Sequence, residues 1–481
     1  MKRFLVALLV ALPLLAQQVT PPPPAAPREA KLPQPVERTL ANGLRVIVVP
    51  KHELPLVASR LMIRTGAAAD PRGKAGLADL TSTVLTQGTK TRTAEQIARG
   101  IEALGATLDA AASWDATSID VSVMSSNLTK ALEYVSDVAR NATFASKEFE
   151  RERAQTIDAL QVELTLPKSL ANAVASRLVF GAAPYGNTLA GTPQSLQSIR
   201  RDDLVKFHRQ NYRPDNAVLV MAGDVEPDAA FALAQKAFGQ WGSRTATGST
   251  TSATPSHSEE LRPRVVVIDI PEAGQAAVVV ARPGIRRADP AFTRALVANS
   301  VLGGGYSSRL NQEIRIKRGL SYGAGSSFDP RAEVGPFLAR AETKNESAAE
   351  VVGLITNELR RLGSEDVPEA ELTPRKATLI GNFAQSLETT GGIVDRISTL
   401  ALYELPLAEI NRYISGVQNV SASQVREFAS ANLGSGTNVV VVGNAQQIVE
   451  PLRKQFTDVE VISVNELDLA SPTLRVRKAK E

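Results

Sequence analysis

Three polar side chains on one helical face raise the first chemical question. In "KAGLADLTSTVLTQGT" (residues 74–89), Leu77, Leu80 and Val84 fall at i, i+3 and i+7, the spacing of a core-facing stripe. Asp79, Ser82 and Thr83 fall at i, i+3 and i+4 and share the other face. A helix presents metal ligands in this way, yet none of these three suits a transition metal. The chain has three histidines, His52, His208 and His257, none near another in sequence, and no cysteine. These residues fit a solvated polar face better than any metal role.

A second candidate is the triplet Gly303-Gly304-Gly305. It lacks the Lys-Ser/Thr of a phosphate loop, so it does not indicate a nucleotide site. Glycines before a helix instead permit close backbone approach. In "LGGGYSSRLNQEIRIKRGLSY", Ser307 or Ser308 can cap a helix whose Leu310 and Ile314 face inward. Lys317 and Arg318 fall in its last turn, Gly319 stops it, and strand-like "SYGAGSSF" follows.

The chain that must position these residues has 481 amino acids, 43% hydrophobic and 22% charged, with a net charge of +4. That is ordinary globular composition, long enough for two or more domains. The basic excess is mild, with no block longer than the terminal "RVRKAKE", and does not suggest nucleic-acid binding. Lys2 and Arg3 precede an apolar run from Phe4 to Leu15 that ends at Ala16, which reads as a signal peptide over 1–16. Export follows, to the periplasm in a Gram-negative cell. Residues 17–35 are a Pro-rich spacer, so folding is expected from Val36.

Residues 242–260, "GSRTATGSTTSATPSHSEE", read as a linker, and the two flanks resemble each other. Phe207 pairs with Phe428 at an offset of 428 − 207 = 221, Gly223 pairs with Gly443, and Val84 pairs with Val301. Three matches in one order at nearly one offset indicate a duplication: domains over 36–241 and 261–470, then a basic tail over 471–481. In "TAEQIARGIEALG", Thr93 and Gln96 can form a capping box, Ile97, Ile101 and Leu104 face the core, and Gly105 ends the helix. "ATLDAAASWDATSIDVSV" reads as a hairpin. Strands and helices come in mixed runs, which favours α+β domains, each a largely antiparallel sheet covered by helices.

Together these pieces resemble the pitrilysin/insulinase-type zinc peptidases, in the branch with the mitochondrial processing peptidase. The carriers are "LANGLRVIVVP", "AGLADLTSTVLTQGT", "IEALGATLDAAAS", "FERERAQTIDAL", "PYGNTLAGTPQSLQSI" and "VLGGGYSSRLNQEIRIKRGLSYGAGSSF", and the resemblance runs from about Val36 to about Leu452. Active members carry H-x-x-E-H on the opening helix and a carboxylate ligand on a later one. The resemblance puts the two His at Asp79 and Thr83, the Glu at Ser82 and the third ligand at Ala159, so every zinc position differs. Asp109 and Ala112 also stand where the family usually has Asn and Thr. In the second half the family's Arg and Tyr, which reach the other domain's zinc site, match Arg315 and Tyr322; Arg318 competes for the Arg role. A Tyr hydroxyl and a guanidinium can stabilise the oxyanion of a tetrahedral intermediate. Glycines in the region of Gly303, Gly304 and Gly305 line the substrate cavity of the processing peptidase's non-catalytic subunit.

The resemblance thus implies a non-zinc-binding subunit of an exported heterodimeric metallopeptidase. Catalytic residues would be Arg315 and Tyr322, with no cofactor in this chain and zinc in a homologous partner. Unfolded peptides would pair with an exposed sheet edge. The alternative is an inactive peptide-binding or scaffold protein of the cell envelope, with Arg315 and Tyr322 as relics.

Overall fold

The computed structural model describes residues 34–242 and 262–476, apart from 435. The signal-peptide reading, and nearly all of the spacer and linker, lie outside these residues.

Two six-stranded sheets carry the fold. The first comprises β1 (Val36–Thr39), β2 (Arg45–Pro50), β3 (Leu56–Ile63), β4 (Leu108–Ala112), β5 (Thr117–Met124) and β6 (Ala217–Gly223), in the order β1-β2-β6-β3-β5-β4. The second comprises β7 (Val265–Asp269), β8 (Ala276–Pro283), β9 (Ala324–Phe328), β10 (Pro336–Thr343), β11 (Asn438–Gly443) and β12 (Glu460–Ser463), in the order β12-β7-β11-β8-β10-β9. Five strands correspond one to one. The outermost pair does not: β1 runs antiparallel to β2, whereas β12 runs parallel to β7. The other parallel contacts are β2 with β6 and β7 with β11; the remaining pairings are antiparallel. Strands β4 and β9 each lie at one end of their sheet, and among the described residues neither pairs with a further strand on its outer side.

The sequence of each central strand explains its place. In β6, "AVLVMAG", every residue is buried, and so is every residue of β11, "NVVVVG". Such continuous apolar runs need cover on both faces. One face of each sheet packs on helices of its own half, including Leu77–Leu85 in the first and Phe292–Leu302 in the second. The other face is covered by exchange. The helix Pro167–Phe180 places Leu170, Val174 and Leu178 against Val279 and Val440 of the second sheet. Its counterpart Thr390–Leu402 places Ile393, Ile397 and Leu400 against Val218 and Val220 of the first. Each half therefore lends the helix that completes the other's core.

Local signals act as their chemistry requires. Thr93 and Gln96 form the capping box of the helix Ala94–Glu102, and Gly105 takes φ +68° beyond its end. Strands β4 and β5 form the hairpin. Val84 and Val301 are both fully buried, and Phe207 and Phe428 nearly so.

Candidate functional site

The helix Leu77–Leu85 packs against β4 and against the helix Ser146–Glu163. It begins at Gly76, whose φ of +93° suits glycine, and a Cβ there would meet the Ala190 carbonyl oxygen at 2.5 Å. Asp70 folds back to cap it: its carboxylate oxygens accept from the backbone N–H of Gly76 (2.8 Å), Leu77 (3.1 Å) and Ala78 (2.9 Å). Leu77 N–H also donates to the Lys74 carbonyl at 3.1 Å, so the cap matters most for the N–H groups of Gly76 and Ala78, which have no intrahelical acceptor. Sequence reading missed this cap because Asp70 lies well ahead of the helix.

The polar face of this helix is not solvated as its composition suggests. Ser82 is 1% exposed, and Asp79 and Thr83 are half-buried. The hydroxyls are satisfied within the helix: Ser82 Oγ and Thr83 Oγ1 both donate to the Asp79 carbonyl oxygen, at 2.7 and 3.1 Å. The Asp79 carboxylate makes no hydrogen bond or ion pair among the described residues, and burial pushes its pKa up to about 6. Ala159 sits exposed on the helix Ser146–Glu163 and offers no donor. One carboxylate, two internally engaged hydroxyls and a methyl group do not fit a zinc ion. Among the described residues no cluster of three or more His, Cys, Asp or Glu can hold a metal. His52 bonds Asp224 at 2.9 Å. His208 is wedged between Phe144 and Tyr212 with Nε2 on the Ala139 carbonyl at 2.8 Å, and burial lowers its pKa to about 4. His257 lies outside the described residues.

In the second half, the expected helix is one short α-turn, Arg309–Asn311, continued by a π-turn, Gln312–Ile316. Ser308 occupies the cap position, but its hydroxyl donates to the Gly305 carbonyl (2.6 Å) rather than capping. Gly319 ends the segment at φ +64°, its N–H on the Arg315 carbonyl at 3.0 Å. The π-turn sets the direction of Arg315. Its guanidinium lies 4.8 Å from the Tyr322 ring centroid and 5.0 Å from that of Tyr306. Tyr322 is 90% exposed and Tyr306 65%. Lys317 and Arg318 both pair with Glu313, whereas Arg315 has no carboxylate partner among the described residues. Arg318 is therefore committed locally, and Arg315 is the cation left available. Tyr306 was not singled out in the sequence; the turn Gly305–Ser308 brings it over.

Two glycines of the triplet, Gly303 and Gly304, have a packing role, while a Cβ on Gly305 would meet nothing within 4 Å among the described residues. Gly303 lies against β9, accepting from Ser326 N–H at 3.0 Å, and a Cβ on it would come within 2.2 Å of that nitrogen. The N–H groups of Gly303 and Gly304 share the Asn299 carbonyl, at 2.9 and 2.7 Å. Gly303 also lines a cavity of 310 Å³ over β9 and β10; Gly304 and Gly305 do not.

The halves meet at Asp115, just beyond β4. Its carboxylate accepts from the hydroxyls of Tyr185 (2.6 Å) and Tyr403 (3.1 Å) and from Ala332 N–H (2.9 Å). The Arg331 guanidinium lies 4.3 Å from the Trp114 ring centroid and 4.6 Å from that of Tyr185.

The fold defines a class: two matching α+β halves, each a six-stranded sheet completed by a helix of the other. Family comparisons agree. Residues 45–193 match the model for "Insulinase (Peptidase family M16)", and residues 198–379 match that for "Peptidase M16 inactive domain". The chain belongs to the insulinase, or M16, family of peptidases. It is 28% identical over 412 residues to an uncharacterized zinc protease of Mycobacterium leprae, covering 84% of this chain and 91% of that one. A solved peptidase M16 inactive domain from Pseudomonas fluorescens superposes with a TM-score of 0.78 at 26% identity, covering 85% of this chain and 98% of the other. The periplasmic protease PqqL of Escherichia coli shares the fold, with a TM-score of 0.70 at 18% identity, covering 89% of this chain and 50% of that one.

Proposed function

We propose that this chain is the non-zinc-binding subunit of an exported heterodimeric metallopeptidase. In this reading it binds unfolded peptides and supplies Arg315 and Tyr322 to the zinc site of a homologous partner. The observation that carries the reading is the pairing of Arg315 with Tyr322 on an exposed surface, without a neutralising carboxylate among the described residues. A guanidinium fixed by stacking is oriented at low entropic cost, and a free phenol beside it can donate to a developing oxyanion. The helix Leu77–Leu85 supports the other half of the reading, since its residues do not suit zinc. Export rests on Lys2, Arg3 and the apolar run after them; no described helix is long and apolar enough to cross a membrane.

On β9 the outward N–H groups of Ser326 and Ala324 are taken by the Gly303 carbonyl and Asn311 Oδ1, but the outer main-chain groups of β4, unpaired among the described residues, are open to an extended peptide. They equally suit an inactive peptide-binding scaffold, in which Arg315 and Tyr322 do no chemistry. An unfolded peptide incubated with the purified single chain should stay intact. Chelator-sensitive hydrolysis by that chain alone would refute the subunit reading.

A further inference from the structure

The exchanged helix Thr390–Leu402 lies over β6 and β3 but leaves part of the first sheet bare. There a cavity of about 650 Å³ opens, floored by Met62, Ala111 and Ser118. Its walls come from the second half, through Phe292, Leu296, Leu379, Phe383 and Tyr413. Mostly apolar walls with a few polar groups, at this size, are the usual make-up of a ligand site.

Three guanidiniums reach the cavity, and their pairing is uneven. Arg60 holds Asp120 at 2.5 Å and Asp395 at 2.8 Å, and Arg287 holds Glu409 at 2.8 Å. Arg396 has no carboxylate among the described residues. Its Nε donates to Ser386 Oγ at 3.1 Å, and it lies 5.2 and 5.8 Å from the ring centroids of Phe383 and Tyr413. Ser398 also lines the cavity; it is 3% exposed, and its hydroxyl has no hydrogen-bond partner among the described residues. A buried hydroxyl without a partner costs free energy that a ligand acceptor would recover. The cavity thus combines apolar walls, a stacked cation and an unmet donor, the complement of an apolar group that ends in a carboxylate.

The last residues of β4, with Ser113 beyond them, form one rim, and among the described residues the outer edge of β4 is unpaired. We propose that the cavity takes the carboxyl end of an extended peptide whose final side chain is apolar. The carboxylate pairs with Arg396, the side chain lies among Leu296, Phe383 and Tyr413, and the preceding residues add to the edge of β4. This rests on the peptide-binding reading above but not on any role of Arg315 or Tyr322.

The test is fluorescence anisotropy on the purified full chain. The probes are an N-terminally labelled ten-residue peptide ending in Leu-Phe as the free acid, its C-terminal amide, and decanoate as competitor. The acid should bind about tenfold more tightly than the amide, or better, the worth of one charge-assisted contact. Arg396→Gln should erase that preference. Leu296→Trp, at a half-buried wall position, should weaken the acid without lowering the melting temperature. Equal affinity for acid and amide, or a preference that survives Arg396→Gln, overturns the proposal and leaves peptide binding intact. If neither peptide binds, both the proposal and the peptide-binding reading fall. Binding of decanoate with no peptide binding would assign the carboxylate to a lipid and overturn the peptide end.

Discussion

The guanidinium of Arg315 stands 4.8 Å from the ring centroid of Tyr322, and that ring is 90% exposed. A large aromatic held out in solvent beside an unneutralised cation adds little to the stability of the chain that carries it. Its removal should therefore be felt in an assembly rather than in folding. In the complex with a zinc-bearing partner, Tyr322→Phe keeps the stack and deletes the hydroxyl. Turnover should fall by about 10²-fold, the usual loss for one oxyanion donor. The melting temperature of the single chain should stay unchanged, because surface substitutions of this kind move stability by no more than about 0.5 kcal/mol. Steady-state kinetics and a thermal melt check both halves of the statement.

Tyr306 makes a second, weaker prediction. It covers the other side of Arg315 at 5.0 Å and touches no reacting group in this account. Tyr306→Ala should cost about two- to fivefold in turnover, the worth of one exposed cation–π contact. Tyr306→Phe should restore it. A loss that Phe does not rescue would mean that the Tyr306 hydroxyl, and not its ring, matters.

The Asp79 carboxylate is half-buried and unpaired among the described residues, with its pKa raised to about 6 from an ordinary 3.8. A carboxylate whose folded-state pKa is raised binds its proton more tightly in the folded than in the unfolded chain. Its charged form therefore opposes folding above pH 6, and the penalty fades as the pH falls through 6 toward 4. Asp79→Asn should stabilise the chain at pH 8 by about 1–3 kcal/mol and make almost no difference at pH 3 or below. Denaturant titrations at the two pH values decide it; a gain independent of pH would contradict the account.

The helix exchange predicts how the protein unfolds. Val174 and Ile397 are fully buried against the sheet of the opposite half. Val174→Asp should prevent folding of both halves, and Ile397→Ala should cost about 2–5 kcal/mol in one shared transition. Either half expressed alone lacks the helix that covers its sheet and should not give a cooperative melt. Two separate transitions in the intact chain would contradict this.

What the sequence disclosed follows from the range of each signal. The capping box of Thr93 and Gln96, the β4–β5 hairpin and the buried runs of β6 and β11 depend on near neighbours, and all are legible. The helix Pro167–Phe180 buries residues on most of its circumference, and nothing local in its sequence says which sheet it meets, so the exchange was invisible. The cap supplied by Asp70 comes from a loop that returns to the helix. The burial of Ser82 contradicts its polarity because its hydroxyl is satisfied by the Asp79 carbonyl, a bond that composition does not reveal. Arg315 was placed by register on an expected α-helix; the π-turn and the Glu313 pairs of Lys317 and Arg318 single it out.

The central claim is that this chain completes another chain's site. The direct measurement is affinity purification of the tagged mature protein from its native envelope extract, with mass spectrometry of what co-elutes. The account predicts a stoichiometric partner of similar size that carries H-x-x-E-H, and chelator-sensitive peptide hydrolysis by the complex. A chain that elutes alone, or with unrelated envelope proteins and no such activity, would contradict it.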